Sequence, residues 1–239
     1  MAPDQLLARA REAWLGMAGV PMVFPADGGV DVAVSTRSLL CPPGWVGIVA
    51  LGDAAIVTVS EGSTAGTVRQ ALHGLPVGIL TYPDRLRAVL PVAEVLGPAS
   101  LAYLDRCDLP PAGAGLVGVI PGGHADLAAF LASVPAADAD ECGLADITSE
   151  AFVVRREDRV VAAAGYRHWP GSMAHMGVLT EPGHRGRGLA RAVAAAAVAD
   201  GVANGLLPQW RARPDPSRRV ARALGFRELG AQVSIRLRA

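Results

Sequence analysis

A short segment rich in glycine and arginine is the part of this sequence best suited to chemistry. It follows the apolar run 173–180 and leads into an alanine-rich run, whose first helical turn we predict at residues 188–191. The first N–H groups of a helix have no partner inside it and lie at the positive end of its dipole, so they stabilise a phosphate group. Gly186 and Gly188 let the backbone approach such a group closely. Arginine side chains surround the loop with positive charge: Arg185, Arg187 and Arg191.

The same residues resemble the acyl-CoA loop of the GNAT acyltransferases. The family pattern is Arg or Gln, two residues, Gly, one residue, and then Gly or Ala. Here it falls on Arg185, Gly188 and Ala190. As in the family, a predicted strand precedes the loop and ends at Thr180-Glu181-Pro182.

A second motif strengthens the resemblance. Residues 217–226 resemble the GNAT helix on which small and apolar residues face the cofactor, and which ends in Leu-Gly-Phe. The two motifs stand at the family's distance from each other, and the resemblance covers residues 112–239. The predicted elements of this region also follow the GNAT order: a strand, two helices, three antiparallel strands, a helix, a strand, a helix and a last strand.

The resemblance implies a fold and a cosubstrate. The fold is α/β (α+β), namely the GNAT fold with a mixed, mostly antiparallel sheet flanked by helices, and here with an additional N-terminal α/β domain. The implied cofactor is acetyl-CoA. The backbone of one strand would pair with its pantetheine arm, the loop would hold its pyrophosphate, and a serine would lie near its pantetheine or adenosine. These residues are Val178, Leu179 and Thr180; Arg185, Gly186, Arg187, Gly188, Leu189, Ala190 and Arg191; and Ser217.

The implied activity is N-acetyl transfer, in which a primary amine of a small molecule or a protein attacks acetyl-CoA directly in a ternary complex. Orienting the two reactants lowers the barrier by roughly 7 to 11 kcal/mol, and a strand N–H can stabilise the oxyanion. The remaining tasks are to remove a proton from the ammonium group and to protonate the leaving thiolate.

Candidate catalytic residues are fewer than in the family pattern. The tyrosine that many members use as the acid aligns with Ala221. A water molecule or another residue therefore takes that role, or the protein is a catalytically weak or inactive acyl-CoA-binding regulatory module. His175 is the candidate base because an unperturbed histidine titrates near neutrality. A histidine that simply packs in or beside the sheet would explain its presence equally well. Tyr166 is a second catalytic candidate, and Glu141 and His168 are candidates for contact with the substrate.

Composition and charge limit the class of partner. Hydrophobic residues make up 51% of the chain and charged residues 18%, which is too apolar for a disordered protein. The formal net charge is zero, yet residues 185–227 contain nine arginines and two acidic residues. Such a local field suits a polyanionic small molecule, whereas the overall balance argues against nucleic acid as a partner.

Other signals are weak. The three cysteines are far apart and show no metal-ligand spacing, so we expect neither a metal site nor a disulfide framework. The sequence shows no secretory signal and no stretch of 18 apolar residues. We therefore expect a cytoplasmic protein without a membrane partner, and leave a homodimer open.

The segment 108–115 has the proline and glycine density of a linker. It predicts two domains, 1–110 and 112–239. Before it, the pattern predicts a helix over 4–17, a β-hairpin over 45–59, and helices from an N-cap at Ser63 to Gly74 and from Pro83 to Pro91. The N-terminal domain is either a degenerate GNAT-like copy or an unrelated substrate-gating domain.

Overall fold

The computed structural model describes residues 4–106 and 116–238, which divide into two compact units. The first unit holds the described residues up to Ala102, together with Ala212–Pro214 and those from Glu228 onward. The second unit holds the described parts of Tyr103–Arg211 and Asp215–Arg227. The last strand of the chain therefore belongs to the first unit, together with the N-terminal part. The predicted linker 108–115 lies outside the described residues, so the boundary near residue 110 stays a prediction.

The first unit combines strands and helices around one core. Its elements are α1 (Gln5–Ala18), β1 (Gly29–Val34), β2 (Val46–Leu51), β3 (Ala54–Val59), α2 (Gly62–Leu72), α3 (Pro83–Val89), β4 (Val92–Tyr103) and β10 (Arg227–Leu237). The strands lie in the order β1-β3-β2-β10-β4. β1 is parallel to β3, whereas β2 is antiparallel to both β3 and β10. Apolar side chains from β2, β3, β10, α2 and α3 form the core.

Local signals predicted several of these elements. The carboxylate of Asp4 accepts hydrogen bonds from the first turn of α1, and the predicted hairpin over 45–59 is confirmed as β2 and β3. The N-cap prediction at Ser63 is wrong, because α2 begins at Gly62 and Glu61 holds the capping position. β1 and β4 were not predicted, since both contain glycine, and β4 also contains Pro98, residues that usually mark turns.

The second unit carries the glycine and arginine loop. Its elements are β5 (Gly118–Ile120), α4 (Ala125–Ser133), α5 (Ala136–Cys142), β6 (Ala151–Arg156), β7 (Arg159–Trp169), β8 (Met173–Thr180), α6 (Leu189–Ala203), β9 (Leu207–Ala212) and α7 (Asp215–Ala223). The strand order is β9-β8-β7-β6-β5. Neighbouring strands from β5 to β8 are antiparallel, and β8 and β9 are parallel.

The two faces of this sheet have different neighbours. Ala163 and Leu179 pack in one cluster with the apolar residues of α4 and of the turn after α5. Tyr166 and Ala174 instead contact Asp200 and Gly201 of α6. Because side chains alternate along a strand, residues 163, 165 and 167 of β7 share one face with residues 175, 177 and 179 of β8. We call this the α4/α5 face.

Candidate functional site

The loop after β8 offers unpaired backbone donors. A 3₁₀ turn spans Pro182–His184, and α6 then begins at Leu189 without a side-chain cap. Gly186 and Gly188 have φ angles of 76° and 75°, in the left-handed region that favours glycine. Within the described part of the chain, the amides of residues 186–191 donate to no backbone carbonyl. These amides are therefore open donors at a helix N-terminus, at the place where the sequence predicts an anion site.

The three arginines of the loop differ in their contacts. Arg185 donates from Nε to the carbonyl oxygen of Thr180 at 3.2 Å, and its guanidinium lies 2.7 Å from Asp138 on α5. These contacts fix the loop to β8 and α5. Arg187 and Arg191 are exposed, and neither forms an ion pair with another described residue. Their charges are available to an anion in the loop.

β8 leaves its parallel neighbour before it reaches the loop. The registered pairs of β8 with β9 run from Met173↔Leu207 to His175↔Gln209. Beyond that point β8 continues to pair with β7 as far as Thr180 but has no further registered pair with β9. The hydroxyl Oγ1 of Thr180 is buried and has no hydrogen-bond partner among the described residues. Residues 176–180 thus have no registered strand partner on one edge, where the Thr180 carbonyl accepts from Nε of Arg185, and the open amides follow.

His175 and Gln209 form the last pair before the strands separate. Nδ1 of His175 lies 2.5 Å from Oε1 of Gln209. With the amide oxygen as acceptor, Nδ1–H donates and Nε2 keeps its lone pair. Gln209 is fully buried, and its Nε2 has no hydrogen-bond partner in the described chain. The indole of Trp169 stacks on the imidazole, with ring centres 4.0 Å apart.

The environment of His175 changes its acid–base character. Burial, together with the positive charges of Arg211 and Arg167, lowers the pKa of His175 to about 4, although the hydrogen bond to Gln209 opposes this shift. The imidazole is therefore neutral at neutral pH and is a weaker base than an unperturbed histidine. Its assignment as general base stays a prediction.

Tyr166 lies on the other face of the sheet from His175. Its hydroxyl donates to Asp200 of α6 at 2.6 Å, and the side chain is almost fully buried. Burial and the neighbouring carboxylate raise the pKa of Tyr166 well above its usual value. The structure therefore does not bring the two predicted catalytic residues together. His168 shares the face of Tyr166 and contacts its ring edge-on, with its Nδ1 2.7 Å from the hydroxyl of Thr148.

The second motif forms the end of α7. Trp210 donates from Nε1 to the hydroxyl of Ser217 at 2.9 Å and packs edge-on against Phe226. The N–H of Phe226 donates to the carbonyl of Ala221, and the N–H of Gly225 donates to the carbonyl of residue 222. Gly225 is in the left-handed region, so α7 ends in a Schellman motif. Ala221 is itself buried. A methyl group therefore occupies the position that aligns with the tyrosine used as the catalytic acid in many GNAT members. Of the predicted substrate residues, Glu141 is exposed on α5.

Sequence reasoning missed four residues around His175: Arg167, Trp169, Gln209 and Arg211. The sequence shows which residues of one strand share a face, but the grouping of these four residues around His175 depends on the register between β7, β8 and β9. Among the described residues, no group of three or more histidine, cysteine, aspartate or glutamate side chains could hold a metal ion. No helix in that part of the chain has the length and apolar character needed to cross a membrane.

Comparisons with known proteins find similarity to GNAT acetyltransferases. A GNAT acetyltransferase family model matches residues 150–231. A GNAT-family acetyltransferase structure from Novosphingobium aromaticivorans is 24% identical, with a TM-score of 0.50 over 60% of this chain and 65% of that chain. A GCN5-related N-acetyltransferase from Kribbella flavida is 19% identical, with a TM-score of 0.48 over 65% and 63% of the two chains. The matched region thus spans slightly less than two thirds of either relative.

A third structure extends over the whole chain. It is an acetyltransferase from the GNAT family of Colwellia psychrerythraea, 14% identical, with a TM-score of 0.51 over 100% of this chain and 98% of that chain. No curated protein matches the sequence. Residues 150–231 thus match the GNAT acetyltransferase family, within the region that the resemblance covered, and the predicted fold class is confirmed.

Proposed function

We propose that the protein transfers an acetyl group from acetyl-CoA to a primary amine of a small molecule or a protein, by direct attack in a ternary complex. The GNAT region supports acyl transfer from acetyl-CoA. The observation that carries the finer proposal is the edge of β8 without a registered strand partner, which begins after the His175↔Gln209 pair and runs towards the open amides of the loop. In this proposal, the acyltransferase domain spans residues 112–239, residues 1–110 form a separate domain, and the protein acts in the cytoplasm.

The residues present fit the parts of acetyl-CoA. The amides of residues 186–191, with Arg187 and Arg191, would hold the diphosphate. The N–H and C=O groups on the edge of residues 176–179 would pair with the amides of the pantetheine arm, much as an added strand would. The buried hydroxyl of Thr180 would gain the partner that it lacks in the described chain. When bound, acetyl-CoA supplies an activated thioester.

The chemistry is assigned to the point where β8 and β9 separate. The Nε2 amide group of Gln209 is a buried donor that can serve a carbonyl oxygen in which negative charge develops. Nε2 of His175 is a neutral acceptor that can hold and orient the incoming amine. With a pKa of about 4, His175 orients the amine better than it stores the amine's proton. That proton would leave through water.

A second function is an acyl-CoA-binding regulatory module that turns over weakly or not at all. The buried methyl group of Ala221 favours it, because many relatives supply the acid for the thiolate from this position. The low pKa of His175 favours it as well. In that case the N-terminal unit would report CoA occupancy to a partner.

Thiol release from acetyl-CoA against a panel of amines separates the two functions. We expect release that depends on an amine and is strongly reduced in Gln209→Leu. Tight binding of CoA without thiol release from any amine would favour the binding module instead. A failure to bind CoA would contradict both.

A further inference from the structure

One ion pair joins the glycine and arginine loop to α5. The guanidinium of Arg185 lies 2.7 Å from the carboxylate of Asp138, and the two side chains are 51% and 34% exposed. An ion pair with that exposure is weak, so another anion can displace it. Arg185 directly precedes the open amides of residues 186–191. A negative charge of the protein itself therefore stands beside the place to which the proposed function assigns the diphosphate.

The chain at the end of α5 lies directly on the sheet. Gly165 of β7 and Gly177 of β8 are in register and share the α4/α5 face. A Cβ added at Gly177 would lie only 2.8 Å from the carbonyl oxygen of Cys142. A Cβ added at Gly165 would lie 2.8 Å from Cδ1 of Ile147. The glycine pair thus lets this part of the chain approach the strands closely. We call residues 136–147 the strap.

The strap is held more weakly in its α5 half than in its second half. None of the seven residues of α5, all of which the structure describes, is buried, and the helix begins without a side-chain cap. It ends at Gly143, whose φ of 68° is in the left-handed region. Leu144, directly after this glycine, is fully buried in the core. A short helix with few buried contacts opens at a low free energy, so the ion pair of Asp138 contributes to holding α5 in place.

We propose that Asp138 is an internal competitor of the diphosphate, and that CoA releases α5 from the loop when it binds. A diphosphate on residues 186–191 attracts the guanidinium of Arg185 and repels the carboxylate of Asp138, so the two bound states oppose each other. Such coupling is reciprocal, and the ion pair therefore weakens CoA binding by the same factor by which CoA weakens the pair.

The position of the strap gives this coupling a role at the acceptor side. Gly177, which the end of α5 covers, is the neighbour of His175 along β8 on the same face. The proposed function places the amine at His175. A movement of α5 about Gly143 would uncover this part of the face, so acceptor entry would follow CoA binding. This inference rests on the proposed function, of which it names the regulation.

Hydrogen exchange and calorimetry, both with CoA as the ligand, test the inference. In the parent, CoA should slow exchange in the loop and speed exchange in residues 136–142 about two- to fivefold, as the loss of an exposed ion pair would give. A ligand that only rigidified the protein would slow both segments. Asp138→Asn removes the competitor, so it should bind CoA about two- to fivefold more tightly than the parent. CoA should then have little further effect on exchange in α5.

Asp126→Asn is the matched control, because Asp126 on α4 also pairs with an arginine of the same unit, namely Arg155. It should bind CoA as the parent does and keep the faster exchange of α5. Slower exchange of α5 with CoA, no tighter binding in Asp138→Asn, or equal tightening in the control would overturn the inference. If CoA binds but no amine releases thiol, acetyl transfer fails and the exchange readout still decides. If the parent does not bind CoA, the proposed function fails and the inference is overturned with it.

Discussion

Nδ1 of His175 and Oε1 of Gln209 lie 2.5 Å apart in the last registered pair of β8 and β9. This contact orients the imidazole and leaves its Nε2 as an acceptor. It also leaves the Nε2 amide group of Gln209 buried without a partner in the described chain. A buried donor without a partner is unfavourable for stability. Because this donor lies where two strands separate, we expect a ligand to accept its hydrogen bond.

Gln209→Leu should therefore damage catalysis more than folding. Leucine has a similar volume and removes the buried Nε2 donor that lacks a partner, which offsets the loss of the acceptor for Nδ1–H of His175, so we expect a thermal midpoint close to that of the parent. The loss of a donor to the developing oxyanion should lower kcat about 100-fold, with little change in the KM for acetyl-CoA. Steady-state kinetics and a melting curve measure both effects. An unchanged kcat would exclude the assigned role.

His175 should make stability depend on pH. Its pKa is about 4 in the folded protein and near 6.5 when unfolded, so the folded state binds fewer protons. Stability is thus complete above pH 6.5 and is lost as the pH falls towards 4. Denaturant unfolding should show that the free energy of unfolding drops by about 1 to 2 kcal/mol more in the parent than in His175→Gln between about pH 7.5 and about pH 5. Identical drops in the two proteins would contradict the buried, neutral imidazole.

Tyr166 should contribute to the stability of the folded protein. Its hydroxyl donates to Asp200 on the face opposite His175, so Tyr166→Phe leaves a carboxylate without its donor. We expect a loss of about 1 to 2 kcal/mol in the free energy of unfolding. The kcat should remain within about twofold of the parent. If kcat collapses while stability is kept, Tyr166 has the catalytic role that the sequence suggested.

Arg187 and Arg191 should bind the diphosphate mainly through charge. Replacing both with glutamine should weaken CoA binding by about tenfold or more and flatten its dependence on salt. Arg9→Gln, at an exposed arginine of α1 without an ion pair among the described residues, is the control. Titrations at low and high salt measure the difference. A control that weakens binding equally would point to net charge alone.

The loop was predictable because its chemistry is contiguous. Glycines, arginines and the start of α6 fall within a few residues, and the rule that connects them to an anion is local. The α1 helix and the β2–β3 hairpin were predictable for the same reason. Their caps and turns are specified by neighbouring residues such as Asp4 and Gly52.

The surroundings of His175 were not predictable because they depend on register. Tyr166 and Arg167 are adjacent in sequence, yet only Arg167 shares a face with His175, and that choice is made by the pairing of β7 with β8. Gln209 lies 34 residues from His175 and meets it only through the parallel pairing of β8 with β9. The last strand, similarly, has no local signal for its place between β2 and β4.

Calorimetric titration of CoA into the parent, Gly188→Ala and Gly205→Ala tests the central claim most directly. Both glycines have a φ of 75° and open space around an added Cβ, and they stand at opposite ends of α6, so the two variants carry similar backbone strain. Only Gly188 lies in the loop. We expect CoA to bind the parent and Gly205→Ala alike, and Gly188→Ala about tenfold or more weakly. No binding to the parent, or equal affinity of all three proteins, would contradict the assignment of residues 185–191 to the CoA diphosphate.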